Sequence, residues 1–219
     1  MKKIFPFLFS LVAIAACKNK EAKSGSPVTT APPARVDSFL VTNSSWGLIG
    51  AHTGIDELKR IFGEENIKDV RECDAECIDS IDVTKVYPNQ ANEITIIWKD
   101  SAYHREIGLI ECFGDRPAWH SAEGIKIGSG LKDLLKANGN KISFYGFGWD
   151  YGGSVYSYNG GGLDKSAIGY RLNLNDTFEG DGGLYGDGGL DTDMPLVKKA
   201  MDKITVWWIT LSFYVPPAE

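Results

Sequence analysis

The sequence predicts an α+β fold of two related halves, each a short helix packed on antiparallel strands. Three observations carry that expectation. A glycine-flanked helical segment occurs twice, strand-like runs follow both copies, and beyond the N-terminus no stretch is long and apolar enough to cross a bilayer.

The two helical segments read GLIGAHTGIDELKRIFG and GIKIGSGLKDLLKANG. Aligning Gly63 with Gly139 sets Thr53, Gly54, Ile55, Glu57 and Leu58 against Ser129, Gly130, Leu131, Asp133 and Leu134. Thr53 and Ser129 are expected to cap the helices, because a hydroxyl can accept a bond from an unpaired first-turn amide. Ile55, Leu58, Ile61 and Phe62, and then Leu131, Leu134 and Leu135, fall at helical spacing. Gly63 and Gly139 are expected to end the two helices.

EITIIWKD and EIGLIEC read as strands after the first helix; KISFYGFGWDY, SVYSY and AIGYRLNL read as strands after the second. The strongest strand signal is KITVWWITLSFYV, apolar on both faces, which predicts a central strand covered on both sides. The expected organisation is a segment 1–16 removed from the mature chain, a linker 17–38, and a single domain 39–219 with half-repeats of about 44–115 and 116–219.

The N-terminus begins with Lys2 and Lys3 and runs apolar from Ile4 to Ala16, apart from Pro6 and Ser10. Such a run is too short for a membrane span and has the length of a signal-peptide core. Ile14-Ala15-Ala16-Cys17 resembles the lipobox of bacterial lipoproteins. That resemblance implies that Cys17 receives a diacylglycerol and becomes the first residue of the mature chain, tethering it to a membrane. Acyl chains bind membranes by about 0.8 kcal/mol per buried methylene, so stable anchoring takes more than one chain. Lys18 to Ser38 lacks almost all large apolar side chains and is expected to be a flexible leash. Lys18 after the cysteine, unlike aspartate there, does not resemble an inner-membrane retention signal, so the expected location is the outer membrane of a bacterial envelope.

Removing residues 1–16 takes two lysines and no acid, moving the balance from 23 basic and 29 acidic residues to 21 and 29, a net charge of −8. An acidic exported body argues against nucleic acid as a partner, which would need a basic footprint. Cys73, Cys77 and Cys112 remain after Cys17. In an oxidising compartment Cys73 and Cys77 can close a small loop, while Cys112 after EIGLIE reads as a buried strand thiol.

The body resembles two small exported groups. One is the two-repeat module of the β-lactamase-inhibitor-protein type, with a helical segment on a curved antiparallel sheet. The other is a set of uncharacterised Bacteroidetes-type lipoproteins carrying G-I-x-I-G before a helix and G-F-x-W-D-Y-G-G after it, here Gly124 to Gly128 and Gly146 to Gly153. The resemblance implies protein binding or a structural role and no reaction.

Two stretches are candidate sites. In GFGWDYGG, Phe147, Trp149 and Tyr151 are expected to alternate onto one strand face with Asp150 beside them, a pattern that can stack on a glycan or anchor a partner protein. The competing reading buries these aromatics in the core. In NLNDTFEGDGGLYGDGGLDTD, Asp181, Asp187, Asp191 and Asp193 lie between glycines and are the candidate ligands for calcium, although their spacing fits no established calcium loop. No nucleophile elbow, H-E-x-x-H helix or phosphate loop occurs, so no catalytic residue is expected. The expected function is a membrane-anchored extracytoplasmic lipoprotein, non-catalytic, presenting a protein- or ligand-binding domain. The alternatives are a calcium- or glycan-binding module and an envelope hydrolase using Asp150 with a loop aspartate.

Overall fold

The computed structural model describes residues 37–73, 80–115 and 117–214. Cys17 with its lipobox, most of the linker and Cys77 lie outside these residues. In chain order the elements are β1 (Leu40–Val41), β2 (Ser45–Trp46), β3 (Ile49–Gly50), α1 (Ile55–Phe62), β4 (Ile67–Cys73), β5 (Ser80–Val86), β6 (Ile94–Trp98) and β7 (Ile107–Phe113). They continue with β8 (His120–Ser121), α2 (Leu131–Asn138), β9 (Ser143–Tyr145), β10 (Val155–Ser157), β11 (Ile168–Leu174), β12 (Gly189–Asp191), α3 (Pro195–Ala200) and β13 (Ile204–Ser212). The fold is α+β, as the sequence predicts.

Both expected helices form, and both open and close with glycine. Gly54 and Gly130 hold the extended backbone of an N-cap, while Gly63 (φ +86°) and Gly139 (φ +69°) end the helices in conformations that favour glycine. The expected hydroxyl caps are corrected: neither Thr53 nor Ser129 bonds a first-turn amide. Thr53 Oγ1 instead accepts from the Gly50 amide at 3.0 Å, and Ser129 Oγ accepts from the Lys126 amide at 3.1 Å. Each hydroxyl is recruited by the turn that precedes its helix, a local bond that competes with capping. In α2 the Asp133 carboxylate reaches back to the Gly130 amide at 3.0 Å. Ile49 and Ile125, which stand at the same offset before the two helices, are both buried.

The main sheet has six strands in the order β11-β13-β7-β6-β5-β4. β4 to β7 form an antiparallel meander, and β7 pairs antiparallel with β13 on its other side. β9, β10 and β12 form a separate three-stranded sheet. A third sheet, β3-β2-β1-β8, joins the chain before α1 to the strand before α2 through the parallel pair β1 and β8.

Side chains that face each other across antiparallel pairs share a face. One face of the six-stranded sheet carries Ile96, Ile110, Ile209, Leu211 and Ile168, all buried, and joins one core with Leu58 of α1 and Leu131 and Leu134 of α2. The other face carries Lys85, Thr95, Glu111, Thr210 and Gly169 in one row, with Phe113, Trp208 and Arg171 in another. β13 is therefore an inner strand, buried on one face and half-buried on the other, which corrects the expectation of equal cover on both. Its tryptophan pair misled the sequence reading: between Trp208 and Val206 the register with β11 shifts, and Trp207 is the extra residue of a bulge.

Candidate functional site

The GFGWDYGG segment does not alternate on a strand. β9 ends at Tyr145, and the chain turns back at Gly148 (φ +86°) before β10. Phe147 points inward, 5% exposed, and meets Phe144 at a ring distance of 5.9 Å. Trp149 is half-buried and donates its indole N–H to the Gly146 carbonyl at 2.9 Å. Its ring meets Tyr145 at 5.6 Å and Tyr151 at 5.4 Å, edge to face. Tyr151 is 65% exposed, and Asp150 is exposed beside it. The motif thus divides: one aromatic is core, one braces the turn, and Tyr151 and Asp150 reach the surface.

The surface they reach is the second face of the six-stranded sheet. Arg171 on β11 holds the turn there, with Nε donating to the Gly152 carbonyl at 2.7 Å and Nη2 donating to the carbonyls of Trp149 at 3.4 Å and of Asp150. Its guanidinium lies 5.3 Å from the ring centres of both Trp207 and Trp208, a cation–π arrangement. Burial lowers the Arg171 pKa below the usual arginine value, against an opposing pull from Asp150. Between the turn and the sheet runs a groove of about 360 Å³, lined by Asp150, Tyr151, Val155, Arg171, Trp208 and Thr210 among others. Its floor depends on Gly169, where a Cβ would collide with the Thr210 hydroxyl.

Farther along the same face the Lys85 ammonium sits between Glu72 at 2.7 Å and Glu93 at 2.9 Å. Burial alone would lower the Lys85 pKa, but the hydrogen bonds and charges of the two glutamates raise it. Glu111 lies in the same row, across Thr95 from Lys85. Its pKa is pushed up to about 7 by burial and by the charge of Glu72, against the opposing pulls of Lys85 and the Trp208 indole. The Trp208 N–H is buried and makes no hydrogen bond of normal geometry. Around these charges Phe113 is 44% and Ile81 40% exposed, and Phe113 packs on Trp208 at 5.4 Å.

Of the four aspartates expected as calcium ligands, three are engaged separately. Asp181 accepts from the Phe178 amide at 3.0 Å, and Asp191 accepts from the Asp193 amide at 2.8 Å and faces Lys141 at 3.6 Å. Asp193 faces Lys198 at 3.4 Å, and Asp187 is exposed. Among the described residues no three His, Cys, Asp or Glu side chains converge as a metal site would need. Cys73 is disulfide-bonded, and its expected partner Cys77 lies outside the described residues. Cys112 is a buried thiol, donating to the Glu93 carbonyl at 3.3 Å and pushed by burial up to about 12. His104 is half-buried, stacks flat on Trp98 at 4.9 Å and lies 3.9 Å from the Asp69 carboxylate.

Sequence reasoning missed Arg171 and Trp208. The signal was present: Arg171 is the one charge in AIGYRLNL, and the paired tryptophans interrupt an otherwise alternating strand. Neither residue points to a groove until β11 and β13 are paired in register, Arg171 against Trp208.

The fold and these surfaces define an α+β protein whose six-stranded sheet carries an apolar face and a charged, aromatic one. No family model and no curated protein matches the chain. Among solved structures it is similar to the uncharacterized protein YfeY from Escherichia coli, at 15% identity and a TM-score of 0.43, over 78% of this chain and 98% of that chain.

Proposed function

We propose that the protein is a membrane-anchored extracytoplasmic lipoprotein, non-catalytic, whose charged second sheet face docks a partner protein. One observation carries this reading: Phe113, Ile81 and Tyr151 stand exposed on or beside a face whose charged groups are already paired or desolvated. Aromatic anchors among charges that need no further solvent are what a protein interface uses at its centre. The lipobox supports the tether, and the likeness to two-repeat modules of the β-lactamase-inhibitor-protein type supports protein binding.

The test is site-specific photo-crosslinking in intact cells. A crosslinker placed at Phe113 or Ile81 should yield a discrete adduct of one size. The same group at exposed Lys136 on α2 should not. Equal yields from both positions would overturn the reading. Cys17→Ser should move the protein out of the membrane fraction if the cysteine is the tether.

A further inference from the structure

The groove beside the turn holds a cation with donors still open. Nε and Nη2 of Arg171 are used on the turn's carbonyls, whereas Nη1 bonds to no described residue. No described carboxylate lies within ion-pairing distance of this guanidinium, although Asp150 acts on it from the rim. A half-buried guanidinium set over two tryptophans, with one nitrogen unpaired among the described residues, favours an anion that can share its charge-assisted hydrogen bonds. The rest of the lining is mainly apolar or aromatic, and about 360 Å³ suits one ring-sized group. Asp150 disfavours a multiply charged anion such as phosphate and offers an acceptor to an N–H next to the anion.

We infer that the groove captures the C-terminal residue of a peptide, with an apolar or aromatic side chain against Trp208 and Val155 and its carboxylate on Nη1 of Arg171. The terminal residue's own amide N–H then faces Asp150. This deepens the reading of the open face as a docking surface, because it names the partner's chain end as the group recognised at one end of that face. The shared chemistry, a monocarboxylate on an apolar group, is also that of a free organic acid. Only the peptide end carries the amide N–H that Asp150 can accept.

The test is a tryptophan-fluorescence titration of the full chain with three probes: N-acetyl-phenylalanine, its C-terminal amide, and 3-phenylpropionate. The first should bind saturably, the amide at least about tenfold more weakly, since a charge-assisted bond contributes roughly 1.5–3 kcal/mol. Phenylpropionate should bind several-fold more weakly than N-acetyl-phenylalanine. Arg171→Gln should abolish the preference for acid over amide. Because Arg171 also holds the turn, Thr210→Phe provides a second variant that fills the groove while leaving the guanidinium, and it should abolish binding. Equal affinity for acid and amide, or no saturable binding of N-acetyl-phenylalanine, would overturn the inference. Tighter binding of phenylpropionate would overturn it in favour of a free acid. Adducts at Phe113 that persist in Thr210→Phe would leave the docking face standing without the groove.

Discussion

The two faces of the six-stranded sheet are made by the same strands and do opposite things with their side chains. One face buries Ile96, Ile110, Ile209 and Leu211 against two helices. The other holds Lys85 between two glutamates, keeps Glu111 largely out of solvent and spreads Arg171 over two tryptophans. The first face is fixed by the hydrophobic effect, which is indifferent to direction; the second is fixed by paired charges, which are not. A face of the second kind keeps aromatic groups near the surface without presenting one continuous apolar patch, which would invite aggregation.

The comparison can be broken most directly at adjacent positions on β13. Ile209→Ala should cost about 2–5 kcal/mol in urea unfolding, because a buried branched side chain leaves a cavity. Thr210→Ala, its neighbour on the other face, should cost less than about 1 kcal/mol. Similar losses at both would mean that the second face is also core.

The next effect is pH-dependent. The Glu111 carboxyl titrates near 7 in the folded protein against 4.5 as the ordinary value. The folded state therefore binds the proton more tightly, and the associated stability is present below 4.5 and lost as pH rises through about 7. At about 1.4 kcal/mol per pH unit the loss is at most roughly 3.5 kcal/mol. Glu111→Gln should raise stability by up to that amount at pH 8 and leave it unchanged at pH 4. A gain of the same size at both pH values would show that burial of charge is not the cause.

Phe113→Ala should cost about 1 kcal/mol in stability, the worth of its contact with Trp208, while removing the crosslinked adduct formed from Ile81. Smallest of all, Arg60→Ala on α1 should change stability by less than about 0.5 kcal/mol, since its pairing with Glu57 at 3.9 Å is exposed.

The elements were legible where their signals were local. Both helices, their glycine ends, and the cores of β6, β7, β11 and β13 follow from periodicity and composition. β4 was missed because IKDVREC is an edge strand with charges on both faces, so neither alternation nor an apolar run marks it. α3 was missed because six residues after Pro195 are too few to show a helical period. At the site, Asp150 and Tyr151 stood out as an unusual local string, but the groove they wall needs Arg171 and Trp208, which pair from distant strands. Such register is set by the whole sheet, and a sequence window does not contain it.

The position of β13 bears on how the protein is made. It lies between β7 and β11, yet it is the last strand of the sheet to be synthesised. Until it arrives, β7 and β11 each have an inner edge that lacks its neighbour in the sheet. Such edges are templates for the wrong strand. A chain synthesised in order would thus be incomplete and adhesive for almost its whole synthesis, then close in one late step. Any truncation before Ile204 leaves that step undone, so biogenesis itself tests whether the message was read to the end of the sheet.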